Sequence, residues 1–212
     1  MTSSAASPDR APRPARVILL TGPSGSGKTR LAARAGLPVL RLDDFYKEDG
    51  DPTLPRLPGG GTDWDAPGSW DADAAVTAVR ALCADGRTTV PVYDIASSSR
   101  TGSTDLDLGE ARLFVAEGIF AADIAEACGE LGLLADAICL RRGRLATFRR
   151  RLLRDVREGR KSVPFLIRRG WALLRAEGAI VERHRNLGAY PCGRDEAMAR
   201  ITGLRPRDSV EA

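Results

Sequence analysis

GPSGSGKT, Gly22 to Thr29, is the stretch on which the fold of this 212-residue chain turns. It has the form G-x-x-x-x-G-K-[ST], and Val17, Ile18, Leu19 and Leu20 run into it as a short apolar, partly β-branched strand. A strand, a glycine-rich loop and a helix in that order let several backbone N–H groups point into one concavity and grip a polyphosphate. Gly22, Gly25 and Gly27 permit the backbone turns a side chain would forbid, with Pro23, Ser24 and Ser26 between them. Lys28 would neutralise the outer phosphates. Thr29 offers a hydroxyl to a magnesium ion, and the helix opening there turns its positive end to the same charge. The alternative is a flexible Gly/Ser turn, and the apolar strand in front of it argues against that. Among 32 Lys plus Arg there are only three lysines, Lys28, Lys47 and Lys161, so in an arginine-using chain a compact ammonium stands where the loop needs one. The motif points to a nucleoside triphosphate with Mg2+.

Length fits one α/β domain with a small lid, expected over 17–212 behind a disordered, Ser/Ala/Pro/Arg-rich tail at 1–16. The net charge of +4 and pI near 9.1 are mildly basic, and an anionic nucleotide accounts for them without nucleic acid. Cys83, Cys128, Cys139 and Cys192 are widely spaced with no C-x-x-C pair, which suggests neither a zinc site nor a disulfide framework and fits a reducing cytoplasm. No segment approaches the apolar length of a membrane span.

Along the chain, apolar strands alternate with helical patterns, which predicts a mainly parallel sheet flanked by helices. After the loop, a helix over Lys28 to Ala35 stops at Gly36. Val39, Leu40 and Leu42 form a second strand ending at Asp43 and Asp44. In such sheets the carboxyl ends of strands face the ligand crevice, so two carboxylates arrive beside the loop, a turn cap being the alternative role. Gly50 to Ser69 is irregular, with four prolines and three consecutive glycines, and carries Trp64 and Asp65 in a run read equally as a pinned surface loop or a substrate loop. Asp71 caps the next helix. Thr88 to Tyr93 reads as a strand that Pro91 places toward an edge, and Arg112 to Ala116 as a buried strand ending at Glu117, where a magnesium-directed carboxylate is expected. Ala137 to Leu140 is a further strand. From Arg141 to Lys161 an amphipathic helix with one intensely basic face follows, either merely solvated or a lid over the nucleotide. A second helix runs through Leu166, Leu173 and Ile180. His184, the only histidine, reads as an exposed helix-end residue. Ala189 to Ala212 carries no readable chemistry.

The phosphate loop, LDDFYK at Leu42 to Lys47, WDAPGSWD at Trp64 to Asp71, PVYDIASSSR at Pro91 to Arg100, VAEGIF at Val115 to Phe120 and RRLLRDVREGR at Arg150 to Arg160 occur in the order seen in uridine/cytidine kinases and their phosphoribulokinase-like relatives. The chain resembles that family over roughly two thirds of its length, Val17 to Lys161. The resemblance implies a P-loop NTPase/kinase fold with a helical basic lid at about 141–161, moving the ATP γ-phosphate to a hydroxyl of a small-molecule acceptor, a uridine- or cytidine-like nucleoside first. It implies Asp43 as the base, with Lys28 as its catalytic partner on the phosphates. Asp65, Tyr93, Ser98 and Arg160 fall at the substrate, Arg151 and Arg154 at ATP, and Thr29 with Glu117 at the metal. Ser98 stands where the uridine kinases carry a histidine that reads the base, which keeps pantothenate or a phosphosugar open as acceptor. The family often assembles, so a homo-oligomer is implied. A GTPase is disfavoured by a single asparagine, Asn186, and no glutamine. A nucleic-acid-binding ATPase would use the basic helix as a phosphate track, yet no aromatic residues interleave there. A non-catalytic nucleotide sensor is the third class.

Overall fold

In the computed structural model of the protein, residues 14–141 and 178–205 are described. The apolar run ahead of the phosphate loop is the middle strand of the sheet. This strand, β1 (Arg16–Thr21), has Val17 to Leu20 wholly buried, each side chain worth about 1.5–3 kcal/mol in apolar burial. It begins at Arg16, and Ala15 ahead of it donates its N–H to the Cys83 carbonyl at 3.0 Å.

In chain order there follow α1 (Lys28–Ala35), β2 (Val39–Arg41), α2 (Ala72–Asp85), β3 (Arg87–Asp94), β4 (Ser99–Asp107), β5 (Leu113–Glu117), α3 (Ala125–Glu130) and β6 (Leu134–Leu140). Helical residues 178–186 form α4, and β7 (Tyr190–Cys192) and α5 (Arg194–Gly203) close the described chain. Strand order is β2-β5-β1-β6-β7 with every pairing parallel, so this is the mainly parallel α/β sheet that the alternation of strands and helices predicts. Alternate residues of β1 feed two cores. Val17 and Leu19 pack with Val79 and Leu82 of α2, while Ile18 and Leu20 pack with Leu31 of α1 and Ile201 of α5.

Local signals hold where they rest on caps. α1 stops at Gly36, whose φ of 61° is left-handed, and the Asp71 carboxylate accepts the Ala74 N–H at 2.9 Å to start α2. Pro91 reads β3 toward an edge, and among the described residues β3 is one strand of a separate two-stranded antiparallel hairpin with β4, paired from Arg87–Asp107 to Asp94–Ser99. The stretch after Ala189, in which the sequence shows no chemistry, supplies β7 against β6 and the buried Ala197 and Ile201 of α5. A three-residue strand containing a proline carries no period to detect. Arg200 locks α5 down, forked onto the Asp136 carboxylate at 2.9 and 2.8 Å with its guanidinium 4.4 Å above the Tyr190 ring. The basic lid read over residues 141–161 and the helix through Leu166 and Leu173 lie outside the described residues, apart from Arg141. No helix among the described residues is long and apolar enough to cross a membrane.

Candidate active site

Parallel register decides which side chains meet. β5 lies between β1 and β2, with Glu117 level with both Leu20 and Arg41. Two residues beyond Leu20 the phosphate loop begins, and two beyond Arg41 stands Asp43. The three segments therefore arrive together at the carboxyl end of the sheet, where open α/β sheets hold their ligands.

The loop has the backbone its glycines permit. Gly22, Gly25 and Gly27 have φ of 137°, 79° and 98°. At Gly22 the requirement is also steric, since a Cβ would stand 2.4 Å from the Leu140 carbonyl oxygen of β6. Lys28, buried at 7% exposure, curls back over the loop and donates from Nζ to the Gly22 carbonyl at 2.8 Å. Ser26 is buried, and its Oγ has no hydrogen-bond partner among the described residues. A buried orphan hydroxyl costs free energy unless something completes it, and a polyphosphate held in the loop would supply an acceptor.

Beside the loop, the Thr29 hydroxyl donates to Glu117 Oε1 at 2.8 Å. Glu117 is 5% exposed, and burial pushes its carboxyl above the ordinary range while the Thr29 hydroxyl and the Lys28 ammonium pull it back. A hydroxyl and one carboxylate suit magnesium, which binds through one or two protein oxygens together with phosphate and water. Among the described residues there is no group of three or more His, Cys, Asp or Glu that would form an all-protein metal cage. The donor set and the orphan Ser26 thus fit a magnesium-bound nucleotide.

Asp43 and Asp44 follow β2 in a one-turn 3₁₀ helix, Leu42–Phe45. Their carboxylates part company. Asp43 Oδ1 accepts the Ile119 N–H at 3.3 Å and lies over Gly118, where a Cβ would come within 2.9 Å of it. Asp44 turns toward the hairpin, accepting the Tyr93 N–H at 3.5 Å and facing Arg41 at 3.6 Å, and burial raises its carboxyl. Of the carboxylate pair read from sequence, only Asp43 faces the crevice. The turn is anchored by Trp70, whose indole donates to the Leu42 carbonyl at 2.6 Å.

A second wall is built from Tyr46, Tyr93, Trp64 and Phe120, with Tyr46 ring centroids 5.7–6.0 Å from the other three. Tyr46 has no place in the sequence reading, although its neighbours do. Burial first, and then the charges of Asp43 and Asp65, hold its hydroxyl protonated. Tyr93 donates to the Lys47 carbonyl at 3.1 Å. Ser98, in the left-handed region at φ 50°, reaches the Tyr93 hydroxyl with its side chain and accepts the Asp49 N–H at 2.9 Å with its carbonyl. Asp65 is exposed. Lys28, Thr29, Glu117 and Asp43 therefore form one constellation, Tyr93 and Ser98 a neighbouring one, and Arg151, Arg154 and Arg160 lie outside the described residues.

The expectation for His184 is overturned. It is 3% exposed, with Nδ1 3.3 Å from Thr21 Oγ1 and 3.7 Å from Cys139 Sγ. A lone histidine between two arginines reads as solvent-facing, and nothing in the local sequence signals that α4 turns this one residue inward.

A parallel sheet whose central strand opens into a glycine-rich loop, with a hydroxyl and a carboxylate paired at its end, defines a phosphate-loop fold. No family model matches the chain. Over 116 residues it is 33% identical to a uridine kinase of Schizosaccharomyces pombe, across 51% of this chain and 25% of that protein. It is also 30% identical over 110 residues to the "Inorganic pyrophosphatase TTM2" of Arabidopsis thaliana, across 50% of this chain and 15% of that protein. The chain thus spans a quarter or less of the length of the curated relatives it matches. In fold it is similar to a "putative fructose transport system kinase" from Silicibacter sp. TM1040, with a TM-score of 0.59 and 20% identity over 82% of this chain and 88% of that one. The chain is similar to uridine kinases in sequence over half its length, and in fold to a phosphate-loop neighbour over most of it.

Proposed function

We propose that the protein is an ATP- and Mg2+-dependent kinase that transfers the γ-phosphate to a hydroxyl of a small acceptor, a uridine- or cytidine-like nucleoside being the first candidate. The observation that carries this reading is the meeting of Thr29, Glu117 and Asp43 at the mouth of the phosphate loop. In-line phosphoryl transfer asks for positioning and charge neutralisation more than covalent chemistry, and these residues offer both. Gly22 to Thr29 holds the phosphates, with Lys28 balancing their charge. Thr29 and Glu117 would hold magnesium, which when bound neutralises charge on the phosphate oxygens. Asp43 takes the proton from the acceptor hydroxyl as its oxygen bonds to phosphorus and the bond to the ADP oxygen breaks. Tyr93, Ser98 and Asp65 flank the acceptor side, and the resemblance assigns Arg151 and Arg154 to ATP and Arg160 to the substrate, in a lid over about 141–161 of a single domain.

A uridine kinase matched over 116 residues supports a nucleoside, while a protein named as a pyrophosphatase matches over 110, so the match by itself does not choose the acceptor. Ser98 is tied to Tyr93 and Asp49, so the position that reads the base in uridine kinases serves here to close the wall. Pantothenate and phosphosugars therefore stay on the panel. Purified protein with ATP and Mg2+ is offered nucleosides, pantothenate, sugars and phosphosugars, and ADP is followed. Release that depends on one class of acceptor supports the proposal. Release that none stimulates refutes it, and release stimulated by nucleic acid favours the ATPase alternative.

A further inference from the structure

The one histidine of the chain is enclosed by four elements. It projects from α4 onto Thr21 at the end of β1, Cys139 of β6 and the carbonyl of Ile119 in the turn after β5. Its neighbour Arg183 is forked onto Asp123, with one contact at 3.1 Å, which fixes α4 against the turn ahead of α3. The charged and titratable groups facing the ring are Arg183 from its own helix, Asp123, Lys28 from α1 and the Cys139 thiol. Burial, and after it Arg183, press its pKa down to about 4, with Asp123 opposing. At neutral pH the imidazole is uncharged and one of its nitrogens carries no hydrogen.

Which nitrogen follows from counting protons. Thr21 has one hydroxyl proton, and the Ile119 carbonyl, 3.1 Å away, can only accept it. Thr21 Oγ1 is then left with lone pairs toward His184 Nδ1 at 3.3 Å, so Nδ1 carries the hydrogen. The chain of contacts continues, because Ile119 donates its own N–H to Asp43 Oδ1 at 3.3 Å. Thr21 immediately precedes Gly22. We propose that His184, in its neutral Nδ1–H form, is a positioning residue that clamps Thr21 to Ile119 and so holds the base of the phosphate loop in register with the turn that carries Asp43.

This rests on reading Gly22 to Thr29 as a nucleotide loop, so the test has one arm that needs no ligand. In 15N-labelled protein the sole imidazole gives unambiguous long-range proton–nitrogen correlations. The expected result at pH 7 is the neutral Nδ1–H tautomer; the Nε2–H tautomer or an imidazolium overturns the clamp. The second arm measures MgATP affinity by calorimetry. His184→Phe, which fills the space without a donor, should weaken binding about tenfold, the effect of one hydrogen bond to a buried polar group. His184→Asn, whose amide N–H can stand in for Nδ1–H, should recover most of that loss. Equal affinity of the Phe variant and the parent, or equal loss in both variants, overturns positioning. Absence of MgATP binding by the parent would refute the nucleotide reading itself, and the tautomer then upholds or overturns the clamp on its own.

Discussion

Replacing Gly118 by alanine should slow phosphoryl transfer while leaving nucleotide binding nearly intact. The added Cβ would stand 2.9 Å from Asp43 Oδ1, 2.9 Å from Leu42 Cβ and 3.5 Å from the Asp43 nitrogen. Ordinary van der Waals contact begins near 3.4 Å, so the first two neighbours must each yield by about 0.5 Å. They differ in how readily they can. Leu42 is fully buried, and its carbonyl is held by the Trp70 indole at 2.6 Å, so the turn resists sliding. Among the described residues the Asp43 carboxylate has the Ile119 N–H at 3.3 Å to lose, and it is the softer neighbour. It rotates away from the place it would need as a base. A displacement of about 1 Å at a reacting group costs on the order of 10²-fold, so half of that gives roughly tenfold in kcat. Overpacking adds about 1–3 kcal/mol of destabilisation, small enough to leave a folded protein at 25 °C. The atoms nearest the new methyl belong to Asp43 and Leu42, not to Lys28 or Thr29, so MgATP affinity should change by less than about threefold, the size of a surface-level effect. Steady-state acceptor-dependent ADP release, MgATP calorimetry and denaturant unfolding separate the three quantities. A folded Gly118→Ala protein with kcat within twofold of the parent, or one that loses MgATP affinity at unchanged kcat, would show that Asp43 is not where the chemistry needs it.

Asp43→Asn should keep MgATP binding and lose about 10²-fold or more in turnover, the usual cost of a missing general base; unchanged turnover removes Asp43 from the mechanism. Gly22→Ala forces a Cβ to 2.4 Å from the Leu140 carbonyl at a φ of 137° and should cost about 3 kcal/mol or more in denaturant unfolding, whereas Gly50→Ala, at φ 91° with open space around it, carries the backbone strain alone. Equal losses in the two variants would refute the steric argument. His184 gives a pH signature. Its folded pKa of about 4 lies below the 6.5 of a free histidine, so the unfolded chain binds the proton more readily, and the stability contribution is complete above pH 6.5 and lost as pH falls from there through 4. That contribution is at most about 3 kcal/mol for such a shift. Glu117, with its carboxyl raised, acts in the opposite sense, and so the quantity to measure is the stability difference between the parent and His184→Phe between pH 4 and 8. A difference independent of pH would refute the buried neutral imidazole.

What was legible in the sequence is what local chemistry dictates. The loop glycines, the strand running into it, the Asp71 cap and the Gly36 stop each carry their reason within a few residues. Glu117 was legible because a buried parallel strand is a continuous apolar run, and an acid at its end breaks the run conspicuously. Tyr46 and His184 were not, because their roles come from partners far along the chain. Tyr46 meets Tyr93 and Phe120, and His184 meets Thr21 at a separation of 163 residues. The β3–β4 hairpin was half legible. Its strand pattern was visible, but whether a strand joins the main sheet or stands apart depends on pairings that no local pattern encodes.

The paired aspartates bring the two halves of the site under one control. On a 3₁₀ turn consecutive side chains point about 120° apart, so Asp43 and Asp44 cannot serve the same partner. Asp43 reaches the turn after β5, and through Ile119 and Thr21 the base of the phosphate loop. Asp44 reaches the backbone of Tyr93, and through Tyr93 the hairpin wall on which Ser98 sits. One short turn, pinned by Trp70, therefore sets the distance between the nucleotide half and the proposed acceptor half. The nucleotide half is built from buried strands whose register leaves little room for change, whereas the hairpin joins the rest of the protein through Val90 in the core, the Tyr46–Tyr93 ring contact and a few hydrogen bonds, and its tip is exposed at Ile95. Substitution on the hairpin, such as serine at 98, can reshape the acceptor wall without moving the loop, Thr29 or Glu117. That division explains on physical grounds how a phosphate loop this recognisable can sit beside a proposed acceptor wall free to vary.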